Sequence, residues 1–138
     1  MGPRRKAREY ALQMLFQWDI THDAIDQIAE TFFQNQPEDA PAVSSFARKL
    51  VTGTVENVEE IDRLIQRHAE HWRLDRMATV DRNLLRLAAQ EFLHDKETPK
   101  TVVINEAIEI ARRFSAQESP QFINGILDGI KKELESGQ

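Results

Sequence analysis

The sequence predicts an all-α fold, with about seven helices in two small bundles that pack into one domain. Apolar residues recur every three or four positions nearly throughout the 138 residues, which is the period of amphipathic helices. Glycine and proline are scarce, at five each, and the one dense β-branched run, residues 101–104, leads into a helical pattern. A chain of this length suits a single domain, in which a division near residue 74 would separate two subdomains, 1–74 and 75–138.

The first three helices are predicted from their apolar stripes. The first covers about residues 4–19, and the second begins near Asp23, which is a suitable N-cap. A connecting loop follows at residues 34–41, where two prolines interrupt the pattern. The third helix begins around residue 42, and Gly53 inside it either weakens the helix or admits a close neighbour.

The last four helices are predicted mainly from their start signals. Asn57 is a candidate N-cap, with Glu60 in the capping-box position three residues later. The apolar stripe of this fourth helix extends to Trp72, and Thr79 is the candidate cap of the fifth helix. The sixth and seventh helices each begin with a cap residue followed by proline, in Thr98-Pro99 and Ser119-Pro120.

The composition argues against several kinds of protein. The chain has no cysteine, which excludes disulfides, thiolate chemistry and a zinc site built on cysteine. No apolar run approaches the roughly 20 residues that span a bilayer, and the N-terminal residues lack the apolar core of a signal peptide. We therefore expect a cytoplasmic protein that does not enter the membrane.

The residues needed for catalysis do not form a recognisable constellation. There is no phosphate-binding loop, no GxGxxG and no GxSxG, so neither catalytic residues nor a cofactor is predicted. The best metal candidate is the pair His68 and His71, with Glu70 and Asp75 nearby. Metal sites in helical bundles take ligands from several helices, and no second Glu-x-x-His motif exists here. We predict no metal, and Glu106, which interrupts an apolar stripe, remains unexplained.

Positive charge is concentrated at the start of the first helix. The net charge is −5, yet Arg4, Arg5, Lys6 and Arg8 lie within the first eight residues with no acid among them. Cations in a first helical turn oppose the helix dipole, so a partner explains them better than folding does. Arginine binds phosphate in a bidentate manner, which makes this basic tip a candidate nucleic-acid contact.

Phe122 is a second candidate contact for nucleic acid. It lies near the start of the seventh helix, just beside the apolar stripe, with the polar neighbours Gln121 and Asn124. An aromatic ring in that setting can stack on an unpaired base. It can equally pack into the core, and the periodicity leaves both interpretations open.

Four segments occur in order along nearly the whole chain: RRKARE at 4–9 with AL and LF after it, DRNLLRLA at 81–88, INEAIEIA at 104–111 and FINGILD at 122–128. Together they resemble the signatures of the NusB family of bacterial transcription antitermination factors. The resemblance implies an all-helical fold of two small bundles and no catalytic activity. It also implies binding to the boxA element of ribosomal RNA operon leaders, which is single-stranded RNA. NusE, a ribosomal small-subunit protein, would be the partner within an antitermination complex on RNA polymerase.

The resemblance also assigns roles to individual residues. Phe16 and Asp81 would lie towards the NusE surface, and Phe16 stands where the family often has a tyrosine. Glu118 and Phe122 would border the RNA path near the last helix. The full set of implied RNA contacts is Arg4, Arg5, Lys6, Arg8, Arg86, Glu118 and Phe122.

Two further expectations can be compared with the structure. A helical protein–protein module whose basic tip docks on an acidic partner is the alternative function, and a homodimer is also open. If Arg8 only contacts RNA, the substitution Arg8→Ala should weaken RNA binding and leave the melting temperature nearly unchanged.

Overall fold

The computed structural model describes residues 2–36 and 40–137, and the regular structure in these ranges is entirely helical. This confirms the predicted all-α class. Within those ranges no helix is long and apolar enough to cross a membrane. Seven α-helices follow one another, with a short 3-10 turn (Leu74–Arg76) after the fourth: α1 (Pro3–Thr21), α2 (Ile25–Gln34), α3 (Pro41–Glu56), α4 (Val58–His68), α5 (Thr79–His94), α6 (Lys100–Phe114) and α7 (Ser119–Ser136).

Helix α5 lies at the centre of the fold. It packs against α1, α3, α4, α6 and α7, while α2 covers α1 and α3. Eleven of its sixteen residues are buried, and Leu85 and Phe92 are almost completely removed from solvent. The buried apolar residues of all seven helices form one continuous core. The suggested division at residue 74 stays a prediction, since α5 packs against helices from both sides of it.

The capping predictions are mostly wrong. No side chain caps the start of a helix in the described residues, and α2 and α5 begin after Ala24 and Ala78. Asn57 precedes α4, but its amide donates to Gly53 O at 3.0 Å and to Gln90 Oε1 at 3.3 Å, so it is not a cap. The Asn57 amide is thus used in a bond to α3 and a bond to α5 instead of at the start of α4.

At the starts of α6 and α7, the proline is a better guide to the start of the helix than the residue predicted to cap it. Helix α7 has a proline in its first turn, as predicted, but Ser119 is its first residue and not its cap, and the Ser119 hydroxyl donates to Asp81. Pro99 precedes α6 instead of lying inside it, and the Thr98 hydroxyl donates to Asp95 Oδ2 at 2.7 Å. In the loop between α2 and α3, Pro37 lies outside the described residues, whereas Pro41 is the first residue of α3.

The prediction that Trp72 belongs to the buried stripe of the fourth helix is also wrong. Helix α4 ends at His68, and the Trp72 side chain is 57% exposed in the segment that follows. The apolar period continues past His68 in the sequence, but the backbone leaves the helix there. Hydrogen bonds from the side chain of Gln66 hold the departing chain at Ala69, Trp72 and Leu74.

Gly53 allows α3 to approach α5 closely, which was one of its two sequence interpretations. A Cβ atom at this position would lie 2.3 Å from Nε2 of Gln90, a buried side chain on α5. Gly125, in the first half of α7, is different: a Cβ atom there would have no heavy atom within 4 Å. Both glycines lie inside helices, so the difference between them is the space available for a side chain.

We expect Gly53→Ala and Gly125→Ala to change stability in opposite directions. Each gains up to about 1 kcal/mol of helix propensity, but Gly53→Ala must also displace the Gln90 amide, and overpacking costs about 1–3 kcal/mol. Urea unfolding of both variants measures the difference between their unfolding free energies. The gain in helix propensity is common to both variants and cancels in that difference. Equal stabilisation of the two variants would show that Gln90 moves aside freely.

Candidate nucleic-acid interface

The basic tip occupies the first two turns of α1, and its four cations have unequal access to solvent. Arg4 and Lys6 are exposed, Arg5 is partly buried, and Arg8 is only 5% exposed. A helix turns 100° per residue, so neighbouring positions face different surroundings as α1 packs on α3, α5 and α6. The structure thus separates residues that the sequence presents as one group.

Arg8 forms a buried ion pair with Glu91 of α5. Its Nε and one terminal nitrogen each donate to a Glu91 carboxylate oxygen at 2.8 Å, and the side chains are 6% and 3% exposed. Burial alone would lower the pKa of Arg8, but the hydrogen bonds and charge of Glu91 outweigh it and the pKa is raised. Arg8 therefore carries its charge inside the protein, and its donors are already engaged.

Arg5 pairs with Glu106 of α6 at the edge of the same region. Its Nε and a terminal nitrogen donate to the two carboxylate oxygens at 2.9 and 2.7 Å, in a partly exposed setting. The Arg5 hydrogen bonds hold the pKa of Glu106 below its ordinary value. This contact explains why a glutamate interrupts the apolar stripe of α6.

Arg4 lies at the open end of the tip. Its guanidinium carbon is 4.9 Å from the centre of the Phe46 ring, and it donates weakly to Thr98 Oγ1 at 3.3 Å. An open cleft beside it, between α1, α3 and the end of α5, is lined by further polar and charged groups, among them Lys49, His94, Asp95, Lys96 and Glu97. Arg4 thus presents a stacked but solvent-accessible guanidinium, the form in which arginine meets phosphates.

Arg86 lies away from the tip, in a buried polar network between α1, α4 and α5. It donates to both carboxylate oxygens of Asp62, at 2.8 and 2.9 Å, and lies 3.3 Å from Asp19. Arg82 donates to the same Asp19 at 2.7 Å. Burial would raise the pKa of Asp19, but the two arginines outweigh it, so the pKa lies below its ordinary value. Arg86 is thus a structural ion-pair residue in this conformation.

Phe122 and Glu118 lie at the start of α7, far from the basic tip. Phe122 is half-buried and meets the Trp72 ring edge-on, with centroids 5.9 Å apart, while Glu118 is exposed. The distance between the two places can be read along α5, because Asp81 of α5 contacts Ser119 at the start of α7 and Glu91 of α5 contacts Arg8 of the basic tip. These two α5 residues are separated by roughly 15 Å along the axis at 1.5 Å per residue. The sequence-predicted RNA contacts therefore form two separate groups, and Arg86 belongs to neither of them.

Phe16 and Asp81, the predicted partner contacts, lie near each other in different settings. Phe16 is 38% exposed and lines an apolar groove with Leu12, Val80 and Phe114, which is 43% exposed. Asp81 follows Val80 but is buried, and its carboxylate accepts from the hydroxyls of Ser115 and Ser119. The groove can receive an apolar side chain, while Asp81 holds the start of α7 against α5.

Of the two histidines considered as metal ligands, His68 is held by a contact to α7. His68 Nε2 lies 2.8 Å from Glu133 on α7, and its ring packs over Gly129. His71 is exposed in the segment after α4. No group of three metal-binding side chains occurs in residues 2–36 and 40–137.

Sequence reasoning missed the carboxylates that neutralise the arginines. Glu91 and Glu106 are 83 and 101 residues from their partners. The interruption of the α6 stripe at Glu106 was a visible signal, whereas Glu91 had none. The exposure of the Trp72 and Phe114 rings was also not predicted, because each residue continues the apolar period of a helix and so resembles a core residue.

Comparison with known proteins identifies the relatives of this chain. The model of the NusB family matches residues 5–132. A Koribacter versatilis protein named transcription antitermination protein NusB is 53% identical, covering 98% of this chain and 92% of that protein. A Solibacter usitatus protein of the same name is 48% identical, covering 97% of this chain and 92% of that protein.

Solved structures give the same result for the fold. T. maritima NusB is 41% identical with a TM-score of 0.86, over 96% of this chain and 93% of that one. A structure of the antitermination factors NusB and NusE in complex with dsRNA contains a chain that is 29% identical, with a TM-score of 0.85. That alignment covers 96% of this chain and 98% of the other.

The burial of Arg8 changes what its substitution should do. Arg8→Ala leaves Glu91 buried and unpaired, so we expect a loss of about 3–5 kcal/mol of unfolding free energy instead of an unchanged melting temperature. Arg4→Ala, at an exposed position, should stay within about 0.5 kcal/mol. Thermal and urea unfolding of both variants measure this.

A double variant separates the ion pair from mere packing. Arg8→Met combined with Glu91→Leu removes both charges and should be more stable than either single substitution. A double variant less stable than Arg8→Ala would show that packing of the arginine stem dominates.

Proposed function

This chain belongs to the NusB family, and we propose that it acts in transcription antitermination by binding boxA RNA of ribosomal RNA operon leaders together with NusE. In this role it helps to assemble the antitermination complex on RNA polymerase, and it acts as an adaptor that catalyses no reaction. Its place of action is the bacterial cytoplasm, where polymerase and nascent RNA are found. The names of the relatives support this proposal, and so does the structure of NusB and NusE with RNA.

One observation carries the RNA-binding part of the proposal: the exposed cations of the basic tip on a chain that is otherwise acidic. The chain has a net charge of −5, so its remaining surface repels phosphates on balance. Arg4 and Lys6 are exposed and Arg5 is partly so, which lets these three reach phosphates from the first turn of α1. We assign direct phosphate contacts to them.

The buried arginines take a supporting role in this proposal. Arg8, tied to Glu91, fixes the tip against α5, and Arg86, tied to Asp62, fixes α5 against α4. RNA that reached either guanidinium would first have to replace a bidentate carboxylate. Phe122 and Glu118 border a second part of the RNA path, at the start of α7.

The groove around Phe16 is the proposed contact for NusE. Two of its rings, Phe16 and Phe114, are exposed side by side with Val80, which is unfavourable unless a partner covers them. Asp81 contributes by holding α7 next to this groove through Ser115 and Ser119. A second copy of this chain is the competing occupant, and it would compete with NusE.

Fluorescence anisotropy with labelled RNA tests the proposal. We expect tighter binding of a boxA RNA than of a scrambled RNA of equal length, and a further gain when NusE is added. Equal and negligible binding to both RNAs, with and without NusE, would overturn it in favour of a protein–protein module.

Arg4→Ala should weaken boxA binding and lower the magnitude of the log–log salt slope by about 0.7, because one phosphate contact is lost. Titrations at several salt concentrations measure both quantities. Lys132→Ala is the matched control, since Lys132 is exposed on α7 and pairs only with Asp128 in the described residues. An unchanged slope for Arg4→Ala, or an equal change for Lys132→Ala, would contradict the assigned contact.

Glu106→Gln should strengthen RNA binding, because it removes the carboxylate charge that competes with phosphate for Arg5. The lowered pKa of Glu106 means that this carboxylate stays ionised throughout the neutral range. We expect a higher affinity and a salt slope steeper by about 0.7. Glu109→Gln, at a partly exposed neighbour on α6 that pairs with Arg112, is the control: it removes a nearby carboxylate charge without removing a hydrogen-bond partner of Arg5. Weaker binding of Glu106→Gln would mean that Glu106 orients Arg5 for the RNA.

A further inference from the structure

Trp72 is a large aromatic side chain that the fold leaves in solvent. Its exposed fraction is 57%, whereas the other tryptophan, Trp18, is partly buried against the core. An exposed indole does not contribute the large buried apolar area with which tryptophan stabilises a core. Its position therefore calls for an explanation outside folding.

The segment that carries Trp72 is held in one conformation by Gln66. The Gln66 amide nitrogen donates to the carbonyls of Ala69 and Trp72, at 3.1 and 2.9 Å, and its oxygen accepts from the Leu74 nitrogen at 2.9 Å. The Trp72 nitrogen also donates to Ala69 O at 3.1 Å. One side chain thus satisfies three backbone groups around an exposed ring, which prepares the ring for binding at little further entropic cost.

Phe122 supports the indole from α7. The two rings meet at 80° with centroids 5.9 Å apart, an edge-to-face contact. Such a contact uses the face of only one ring, so aromatic surface stays open to a flat ligand. Gly125, one turn further along α7, is exposed and would have nothing within 4 Å of a Cβ atom, so the surface beside Phe122 is unobstructed.

Two exposed arginines, Arg73 and Arg76, follow Trp72 in the chain, in a segment that also carries the exposed acids Glu70 and Asp75. His71 and Arg73 flank it in the chain, and both are exposed. Arg73 pairs at 2.9 Å with Asp75, itself 65% exposed, so that pair is open to exchange with phosphate. Arg76 is exposed and makes no ion pair within the described part of the chain. A planar stacking surface beside exposed arginines is what single-stranded nucleic acid binds.

We propose that Trp72 is a base-stacking residue, which takes the face of one unpaired nucleobase of the bound RNA while Phe122 supports it. The inference rests on the proposed function and adds a contact to it. A base within a duplex has both faces covered, so this site selects single-stranded RNA. It would also extend the RNA path from the basic tip to the far end of α5.

Trp72→Ala measured against Trp72→Phe is the first test, with a single-stranded RNA carrying a boxA element as the probe. Loss of one base stack should weaken binding by about 5- to 150-fold, and Trp72→Phe should retain most of the affinity. The salt slope should not change, since no charge is removed, in contrast to Arg4→Ala. Ile20→Ala, at a 64% exposed apolar residue of α1, is the control and should bind normally.

Abasic substitution identifies the base that stacks. Removing single bases along the RNA should weaken binding to the wild type at one position by the same factor as Trp72→Ala. That loss should vanish in Trp72→Ala, because the two changes remove one contact. In a Trp18→Phe background, RNA should also quench the emission of Trp72.

The outcomes distinguish this inference from the proposed function. RNA binding by the wild type that is unaffected by Trp72→Ala, with no quenching, would overturn the stacking role and leave the proposed function intact. Loss of NusE binding in Trp72→Ala, with RNA affinity unchanged, would assign the ring to a protein contact instead. Absence of RNA binding by the wild type would overturn the proposed function itself.

Discussion

The antiparallel pairing of α1 and α5 is the constraint on which the rest of the structure depends. One buried and one partly buried ion pair hold the two helices at their ends, Arg8 with Glu91 at one end and Asp19 with Arg82 at the other. Buried pairs of this kind add little net stability over apolar packing, but a shifted register would leave each charge unpaired at a cost of several kcal/mol. The register of α1 on α5 is thus strongly specified, and it determines where the first turn of α1 projects.

This arrangement gives chemically similar residues different tasks. Arg8 and Arg86 are committed to carboxylates inside the protein, and Arg5 to one at its edge, while Arg4 remains exposed. The many carboxylates of this acidic chain make the different tasks possible, because they form ion pairs with most of its arginines. The exposed cations of the basic tip then define one local site on a chain whose net charge is −5, which favours one mode of binding over many.

The sequence predicted the helices well and the contacts between them poorly, for a physical reason. Apolar periodicity reports which face of a helix is buried, and so the seven helices appear where the stripes lie. Helix ends and ion pairs depend on residues distant in the chain: Asn57 contacts Gln90 instead of capping α4, and Arg8 meets Glu91, which lies 83 positions further along the chain. Trp72 was misplaced because a local period cannot show that Gln66 has drawn the backbone out of the helix. Sequence reasoning therefore identified the basic tip, but it could not separate its structural arginine from its exposed ones.

Helix α5 connects the three surfaces that bear on function. Glu91 anchors the basic tip, Val80 lines the apolar groove, and Asp81 holds the start of α7, which carries Phe122. The tip and the aromatic pair are each small, and a specific interface with nucleic acid normally buries about 1,000 Å² or more of protein surface. A ligand that spans both ends of α5 approaches that size, whereas a ligand on either end alone does not. The groove lined by Val80 lies at the Asp81 end of the same helix, beside the start of α7. The proposed partner surface and one part of the proposed RNA path therefore share one end of α5.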